Sequence, residues 1–288
     1  MTTAPVPILN SELRLMDSQH TGRKYRITVS LPLGYNSSPG DDWPFNQENM
    51  LSQWPVVYVL DGNWYFGMVT DIIRPMSWCG STHDAIVVGI GYPESDDPMA
   101  DFRETFTRRD ADLTPVRDES VEKAMTAHHK RPAPNGDSGN FLKFLQHELM
   151  PLIEKEYRAD PARRILLGHS YGGLFGLYAL FEAPGLFETL IIGSPTLSYG
   201  NGWMMKREAE FAKENQKLPA RIYLYAGELE ESLDDETLTD TLRLAAILQG
   251  RQYEGLSLTK YVFADQNHCE VAAPGFQTGL KFALKKVR

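Results

Sequence analysis

Short apolar runs and longer amphipathic ones take turns along this chain. "VVYVLDG" (Val56–Gly62), "AIVVGIGY" (Ala85–Tyr92), "RILLG" (Arg164–Gly168), "TLIIGS" (Thr189–Ser194), "RIYLYAG" (Arg221–Gly227) and "LTKYVFA" (Leu258–Ala264) are rich in β-branched and aromatic residues. Runs of this kind suit strands buried on both faces of a parallel sheet. Ahead of them, "SELRLMDS" (Ser11–Ser18) and "RKYRITVSL" (Arg23–Leu31) flank a Gln-His-Thr-Gly turn and predict a hairpin.

Between the strands the period changes to that of a helix. "NFLKFLQHELMPLIEKEY" (Asn140–Tyr157) puts Phe141, Leu145, Leu149, Leu152 and Ile153 on one face, with a kink expected at Pro151. "DDETLTDTLRLAAILQG" (Asp234–Gly250) opens on acids and closes on glycine, as helices prefer. Val271–Val287 reads as a closing helix that starts late because of Pro274 and Gly275. The alternation predicts an α/β fold: a mostly parallel sheet, an N-terminal antiparallel hairpin and helices on both faces. Ligands of such sheets bind beyond the C-terminal strand ends.

Two stretches interrupt the rhythm, Pro32–Pro55 and Pro93–Gly139. The second carries "DFRETFTRRDADLTP" and "HHKRPAPNGDSG". Loops this long are usually functional or disordered, and the second reads as a lid-like insertion at about 93–139. With 288 residues and 42% apolar content, residues 1–288 are expected to form a single domain around one core.

The net charge of −9 argues against nucleic acid, and no apolar run reaches the ~20 residues of a membrane span. Cys79 and Cys269 are too few for a disulfide framework. With an N-terminus unlike a secretory signal, they point to a reducing, cytoplasmic location. No cofactor is implied. No metal is implied either, because His128-His129 and His268-Cys269 are adjacent pairs rather than spaced ligands.

Candidate chemistry centres on Gly168-His169-Ser170-Tyr171-Gly172, a G-x-S-x-G sequence between a predicted strand and a predicted helix. A sharp turn there would hold Ser170 exposed in a strained conformation, with the small flanking residues avoiding Cβ clashes. The helix N-terminus would supply unpaired N–H groups beside it. A serine needs a base, usually a histidine oriented by a carboxylate, and in this chain order the acid precedes the histidine. His268, in "ADQNHCEVA" beyond the last predicted strand, is the only histidine after Ser170. For the acid, "ELEESLDDE" offers Glu228, Glu230 and Glu231; Glu230 is the first choice and Glu228 the second. The expected oxyanion donors are the backbone N–H groups of Tyr171 and of Asn63 in "VLDGNWYF".

Taken together, "VVYVLDGNWYF", "RRDADLTP", "NFLKFLQHELMPLIEKEYR", "GHSYGGLFGLYALF", "SPTLSY" and a late "NHCE" resemble the "Putative esterase" family of α/β-hydrolases, which includes siderophore esterases. The resemblance spans about Ser11 to the C-terminus. It implies the α/β-hydrolase fold, Ser170 as nucleophile, His268 as base, the oxyanion role of the "LDGN" loop, and an active-site border at Arg108–Pro115. Relatives often carry paired tryptophans where Leu197, Ser198 and Tyr199 stand here, so the aromatic wall is altered.

The expected function is therefore a serine carboxylic-ester hydrolase working through an acyl-enzyme on a small-molecule ester. A siderophore trilactone or an aryl or aromatic acyl ester are the candidate substrates. Arg103, Arg108, Arg109, Lys130 and Arg131 could meet an anionic ferric catecholate, unless Glu104, Asp110 and Asp112 neutralise them. Trp64, Tyr65 and Tyr199 would suit an aromatic ester. Acyl transfer from the same site, or a non-catalytic binding protein on the same fold, are the alternatives.

Overall fold

The structure is a computed structural model that describes residues 6–36, 52–231 and 236–286. Most of the Pro32–Pro55 loop, the start of the Asp234–Gly250 segment and the last residue of Val271–Val287 lie outside those residues.

One eight-stranded sheet organises the chain. The strands are β1 (Ser11–Asp17), β2 (Lys24–Ser30), β3 (Trp54–Val59), β4 (Ile86–Gly91), β5 (Ala159–His169), β6 (Thr189–Gly193), β7 (Lys217–Gly227) and β8 (Glu254–Phe263). Their order across the sheet is β1-β2-β4-β3-β5-β6-β7-β8. β1 pairs antiparallel with β2, and β2 antiparallel with β4; every other pair is parallel. The expected hairpin and parallel core are both present.

The central strands are apolar throughout because both their faces are covered. In β3 and β5, Val57, Val59, Ile165 and Leu167 face α1 (Gly62–Trp78) and α9 (Ala272–Leu284), meeting Phe66, Val69, Ile73, Phe276 and Leu280. Val56, Tyr58 and Leu166 face the other layer, built on α6 (Tyr171–Glu182) with Leu174, Phe175 and Leu177. α6 is apolar on nearly every side and almost wholly buried.

Two expectations about prolines are refined. Pro151 lacks an N–H, and its ring crowds the carbonyl four residues back. The chain absorbs this with a π-helical turn at Leu145–Leu149, between α4 (Ser138–Phe144) and α5 (Met150–Glu156). Pro274 does not delay α9, which begins at Ala272, since first-turn amides have no intrahelical acceptor to lose. Gly275 is required instead by packing: a Cβ there would lie 2.2 Å from the Tyr225 ring.

The 93–139 stretch holds two helices, α2 (Pro98–Leu113) and α3 (Glu119–His129). Asp97 and Asp118 cap them, each accepting hydrogen bonds from the second and third helical amides. Asp112 ties α2 to the sheet, accepting from Tyr25 Oη and Tyr92 Oη at 2.9 Å and from Arg23 at 2.5 Å. The remaining helices among the described residues are α7 (Tyr199–Glu214), kinked where Gly200, Asn201 and Gly202 leave helical backbone, and α8 (Thr237–Arg251).

Candidate active site

Ser170 stands between β5 and α6 with φ 60° and ψ −120°, a sparsely populated conformation for a residue bearing a side chain. Its N–H donates to Gly193 O at 2.9 Å, and its carbonyl accepts from Leu174 N at 3.0 Å. The turn depends on glycine, though not at every position the sequence suggests. A Cβ on Gly168 would lie 2.3 Å from Gly172 O, and one on Gly173 would lie 2.6 Å from Gly193 O. On Gly172 the nearest atom would be 3.5 Å away, an ordinary contact. The steric demand falls on Gly168 and Gly173, where backbone meets backbone.

His268 follows β8, and Glu230 follows β7. Their loops touch because Gly227 has no side chain: a Cβ there would lie 2.2 Å from Gln266 O. Leu229 N donates to Gln266 O at 3.0 Å across the same contact. Glu230 is 2% exposed, and its Oε1 meets His268 Nδ1. Oε2 accepts from Ser194 Oγ and from Gly227 N, both at 2.6 Å. Burial works to raise the Glu230 pKa, but the hydrogen bonds from His268, Ser194 and Gly227 prevail and hold it below the usual carboxylate value. Glu228 faces elsewhere and accepts from Asp265 N at 3.0 Å, bracing the histidine loop. Glu231 accepts from Thr239 N and Oγ1 at 3.0 Å, at the start of α8.

Two residues that sequence reasoning passed over join this group. Ser194, at φ 39°, links the end of β6 to Glu230. His169, just before the serine, places its Nε2 2.8 Å from the His268 carbonyl. A carbonyl only accepts, so Nε2 carries the proton. Burial above all, then the neighbouring His268, pushes the His169 pKa down to about 3, which keeps its ring neutral. Their sequence signals are only position: a serine just past a strand end, and a histidine inside the elbow. Among the described residues, Ser170 Oγ makes no hydrogen bond, as is common before substrate arrives.

The Asn63 and Tyr171 amides lie in the first turns of α1 and α6, where no intrahelical acceptor exists. The Asn63 side chain is pinned to the end of β4, with Oδ1 accepting from Tyr92 N at 2.7 Å and Nδ2 donating to Tyr92 O at 2.9 Å.

The expected substrate contacts separate into two groups. Trp64 borders an open cavity of about 320 Å³ together with Asn63, Glu94 and Phe102, and its ring lies 4.9 Å from that of Phe106. Tyr65 is half-buried, edge-on to Phe276 at 5.0 Å. Tyr199 does not form an open wall: it is 5% exposed, donates from Oη to Val116 O at 3.0 Å and packs behind Tyr171. Arg109 is likewise not presented to a ligand. It is buried against Asp61, with Nε–Oδ1 2.7 Å and Nη2–Oδ2 2.8 Å. Arg108 and Arg131 both pair with Glu104. Asp110 is buried beside Arg109, and burial pushes its carboxyl up to about 6. Among the described residues, Arg103 and Lys130 have no ion-pair partner; with Phe102, Phe106, His129 and Arg131 they line a cavity of about 900 Å³ between α2 and α3.

No group of three or more metal-ligating side chains occurs among the described residues, and no helix there is long and apolar enough to cross a membrane. Cys79 and Cys269 are both exposed and free.

The strand order, the antiparallel start and the turn at Ser170 define an α/β-hydrolase. More narrowly, the chain belongs to the esterase family described as "Putative esterase", whose model matches residues 18–270, and it is a carboxylic-ester hydrolase. It is 29% identical to the ferri-bacillibactin esterase BesA of Bacillus subtilis (strain 168), over 98% of this chain and 92% of that protein. It is 32% identical to the siderophore triacetylfusarinine C esterase of Aspergillus fumigatus, over 74% of this chain and 65% of that one. Among solved structures, the BES protein from Bacillus cereus superposes with a TM-score of 0.80 at 25% identity, covering 99% of this chain and 100% of that chain. The siderophore hydrolase EstA from Aspergillus nidulans gives 0.75 at 25% identity, with 98% of each covered.

Proposed function

We propose that this protein hydrolyses a siderophore ester through an acyl-enzyme on Ser170. The observation that carries the mechanism is the Glu230–His268 pair, whose His268 carbonyl is held by His169, the residue before the strained serine. Glu230 commits Nδ1 of His268, which leaves Nε2 to take the Ser170 proton. Ser170 Oγ then bonds to the ester carbonyl carbon, and the carbonyl oxygen becomes an oxyanion held by the Asn63 and Tyr171 amides. As the tetrahedral adduct collapses, the carbon–alkoxide bond breaks and His268 returns the proton to the leaving alcohol. Water, deprotonated by His268, repeats the sequence on the acyl group and frees Ser170.

The substrate reading rests on the relatives' named substrates and on the charge of the larger cavity. Glu104 is taken up by Arg108 and Arg131, so it does not neutralise Arg103 and Lys130. A cation-lined cavity with aromatic walls suits a ferric catecholate, which is both anionic and aromatic.

The test is a hydrolysis panel on wild type and Ser170→Ala. It contains p-nitrophenyl esters, a feruloyl ester, S-formylglutathione and a ferric triscatecholate trilactone. Preference for the trilactone, abolished in the variant, is the expected result. Turnover retained by Ser170→Ala would overturn the mechanism, and preference for simple aryl esters would overturn the substrate reading.

A further inference from the structure

Asp61 occupies the N-cap position of α1, yet its side chain makes no capping hydrogen bond. Asp97 and Asp118, whose carboxylates each accept from the second and third helical amides, cap from an extended backbone, whereas Asp61 holds φ 52° and ψ 44°. In α1 those two amides belong to Asn63 and Trp64. The Trp64 amide already donates to Asp61 O at 2.9 Å, while the Asn63 amide is the one assigned above to the oxyanion. A buried carboxylate at position 61 left without a partner would seek a free donor, and that amide lies two residues on.

Arg109 removes the competitor. Its guanidinium grips both carboxylate oxygens, at 2.7 and 2.8 Å, in a pair whose side chains are 7% and 1% exposed. The fork is locked by three aromatic rings, Tyr171 at 5.3 Å, Trp64 at 5.5 Å and Phe106 at 5.9 Å from the guanidinium carbon. One of these rings belongs to the residue bearing the second proposed oxyanion donor. The backbone of Asp61 has little room to yield, since the next residue, Gly62, packs so tightly that a Cβ would lie 2.6 Å from Ile90 N.

We infer that Arg109 is a positioning residue which holds the Asp61 carboxylate off the Asn63 amide and so keeps the oxyanion site open. The inference rests on the acyl-enzyme reading. It gives helix α2 a role in the chemistry.

The test compares wild type, Arg109→Gln and Asp61→Gly/Arg109→Gln on a p-nitrophenyl ester, with kcat expressed per active site titrated by a p-nitrophenyl phosphonate. Glycine at position 61 tolerates the observed φ of 52°. In Arg109→Gln the buried carboxylate loses its partner and takes the Asn63 amide, occupying one oxyanion donor. kcat then falls about 10²–10³-fold, while KM stays within a few-fold. In the double variant no carboxylate competes, and kcat returns to within about tenfold of wild type. A merely structural arginine predicts otherwise, since the loss would persist in the double variant. Wild-type kcat in Arg109→Gln, or a double variant no faster than the single one, overturns the inference. Should Arg109→Gln not fold, Arg109→Lys replaces it; one ammonium cannot hold both oxygens in the planar fork, and the same comparison applies. Ser170→Ala separates the two failures: if it retains turnover the acyl-enzyme reading falls, and if it is inert while Arg109→Gln is fully active only the arginine inference falls.

Discussion

Replacing Glu230 by glutamine tests the acid most directly. The Glu230 carboxylate is buried and receives three donors: His268 Nδ1 on one oxygen, and Ser194 Oγ and Gly227 N on the other. Glutamine has one acceptor oxygen and one amide that can only donate. The arrangement that wastes fewest donors leaves the oxygen on Ser194 and Gly227 and turns the amide toward His268. Nδ1 must then accept, so the proton moves to Nε2, and the ring can no longer take one from Ser170. A wrong tautomer of this kind costs about 10³–10⁴ in kcat, roughly 4–5.5 kcal/mol of transition-state stabilisation.

Steady-state kinetics on a p-nitrophenyl ester, with sites titrated and thermal unfolding followed alongside, would separate this from misfolding. Glu228→Gln, which touches only an exposed loop amide, should stay within about threefold of wild-type kcat and lose at most ~1 kcal/mol of stability. The pH dependence has a definite sign. Because the folded Glu230 pKa is depressed, its contribution to stability is full above the ordinary carboxylate range and is lost as pH falls through the folded value. Glu230→Gln removes that part of the acid limb. A variant keeping more than a tenth of wild-type kcat, or a larger loss in Glu228→Gln, would refute the assignment.

Other expectations follow from single contacts. Gly172→Ala should keep kcat within a few-fold, whereas Gly168→Ala and Gly173→Ala should lose soluble active protein, because only the latter two drive a Cβ into backbone. Asp84 is buried, and burial pushes its carboxyl up to about 6, above the unfolded value. Its ionisation therefore erodes stability as pH rises from about 4 through 6, and Asp84→Asn should gain about 2 kcal/mol over wild type at pH 7–8, with no gain at pH 4, in thermal or urea melts. Arg103→Ala/Lys130→Ala should raise KM about tenfold for an anionic ferric catecholate and leave KM for a neutral p-nitrophenyl ester unchanged; an equal effect on both would remove the cavity from substrate binding.

What could be read from the sequence follows how local each feature is. The sheet was legible because strands buried on both faces must be apolar throughout, as Val56–Val59 and Ile165–Leu167 are. The serine turn was legible because its strand, glycines and helix are contiguous. The ranking of Glu230 over Glu228 anticipated which carboxylate meets His268, since three residues past Gly227 the chain turns back toward β8. Contacts made only by the topology were not legible. Asp61 and Arg109 are 48 residues apart, and Ser194 and Glu230 are 36 apart. Arg109 and Tyr199 were read as ligand contacts because arginine and tyrosine suit such surfaces, but whether either side chain is already satisfied depends on a partner that sequence order does not reveal. The same holds for glycine: the elbow motif names Gly172, while the backbone contact falls on Gly173.

The charge of the insertion makes sense only as a sequence of pairings. Asp112 takes Arg23, Asp61 takes Arg109, and Glu104 takes Arg108 and Arg131. Each of these three acids is matched before the cavity wall is reached, where, among the described residues, Arg103 and Lys130 are left without an ion-pair partner. The whole molecule carries −9, so a distant anion is repelled while one inside the cavity is attracted. The two fields act over different ranges, because free charges are screened beyond about 8 Å at physiological salt and charges within a cavity much less. Added salt should therefore weaken the repulsion first. For an anionic ferric catecholate, kcat/KM should rise from low to moderate ionic strength and fall only when the cavity pairing is screened as well. For a neutral ester neither limb should appear. A monotonic fall with salt would mean that the unpaired cations, rather than the net charge, govern the approach as well as the docking.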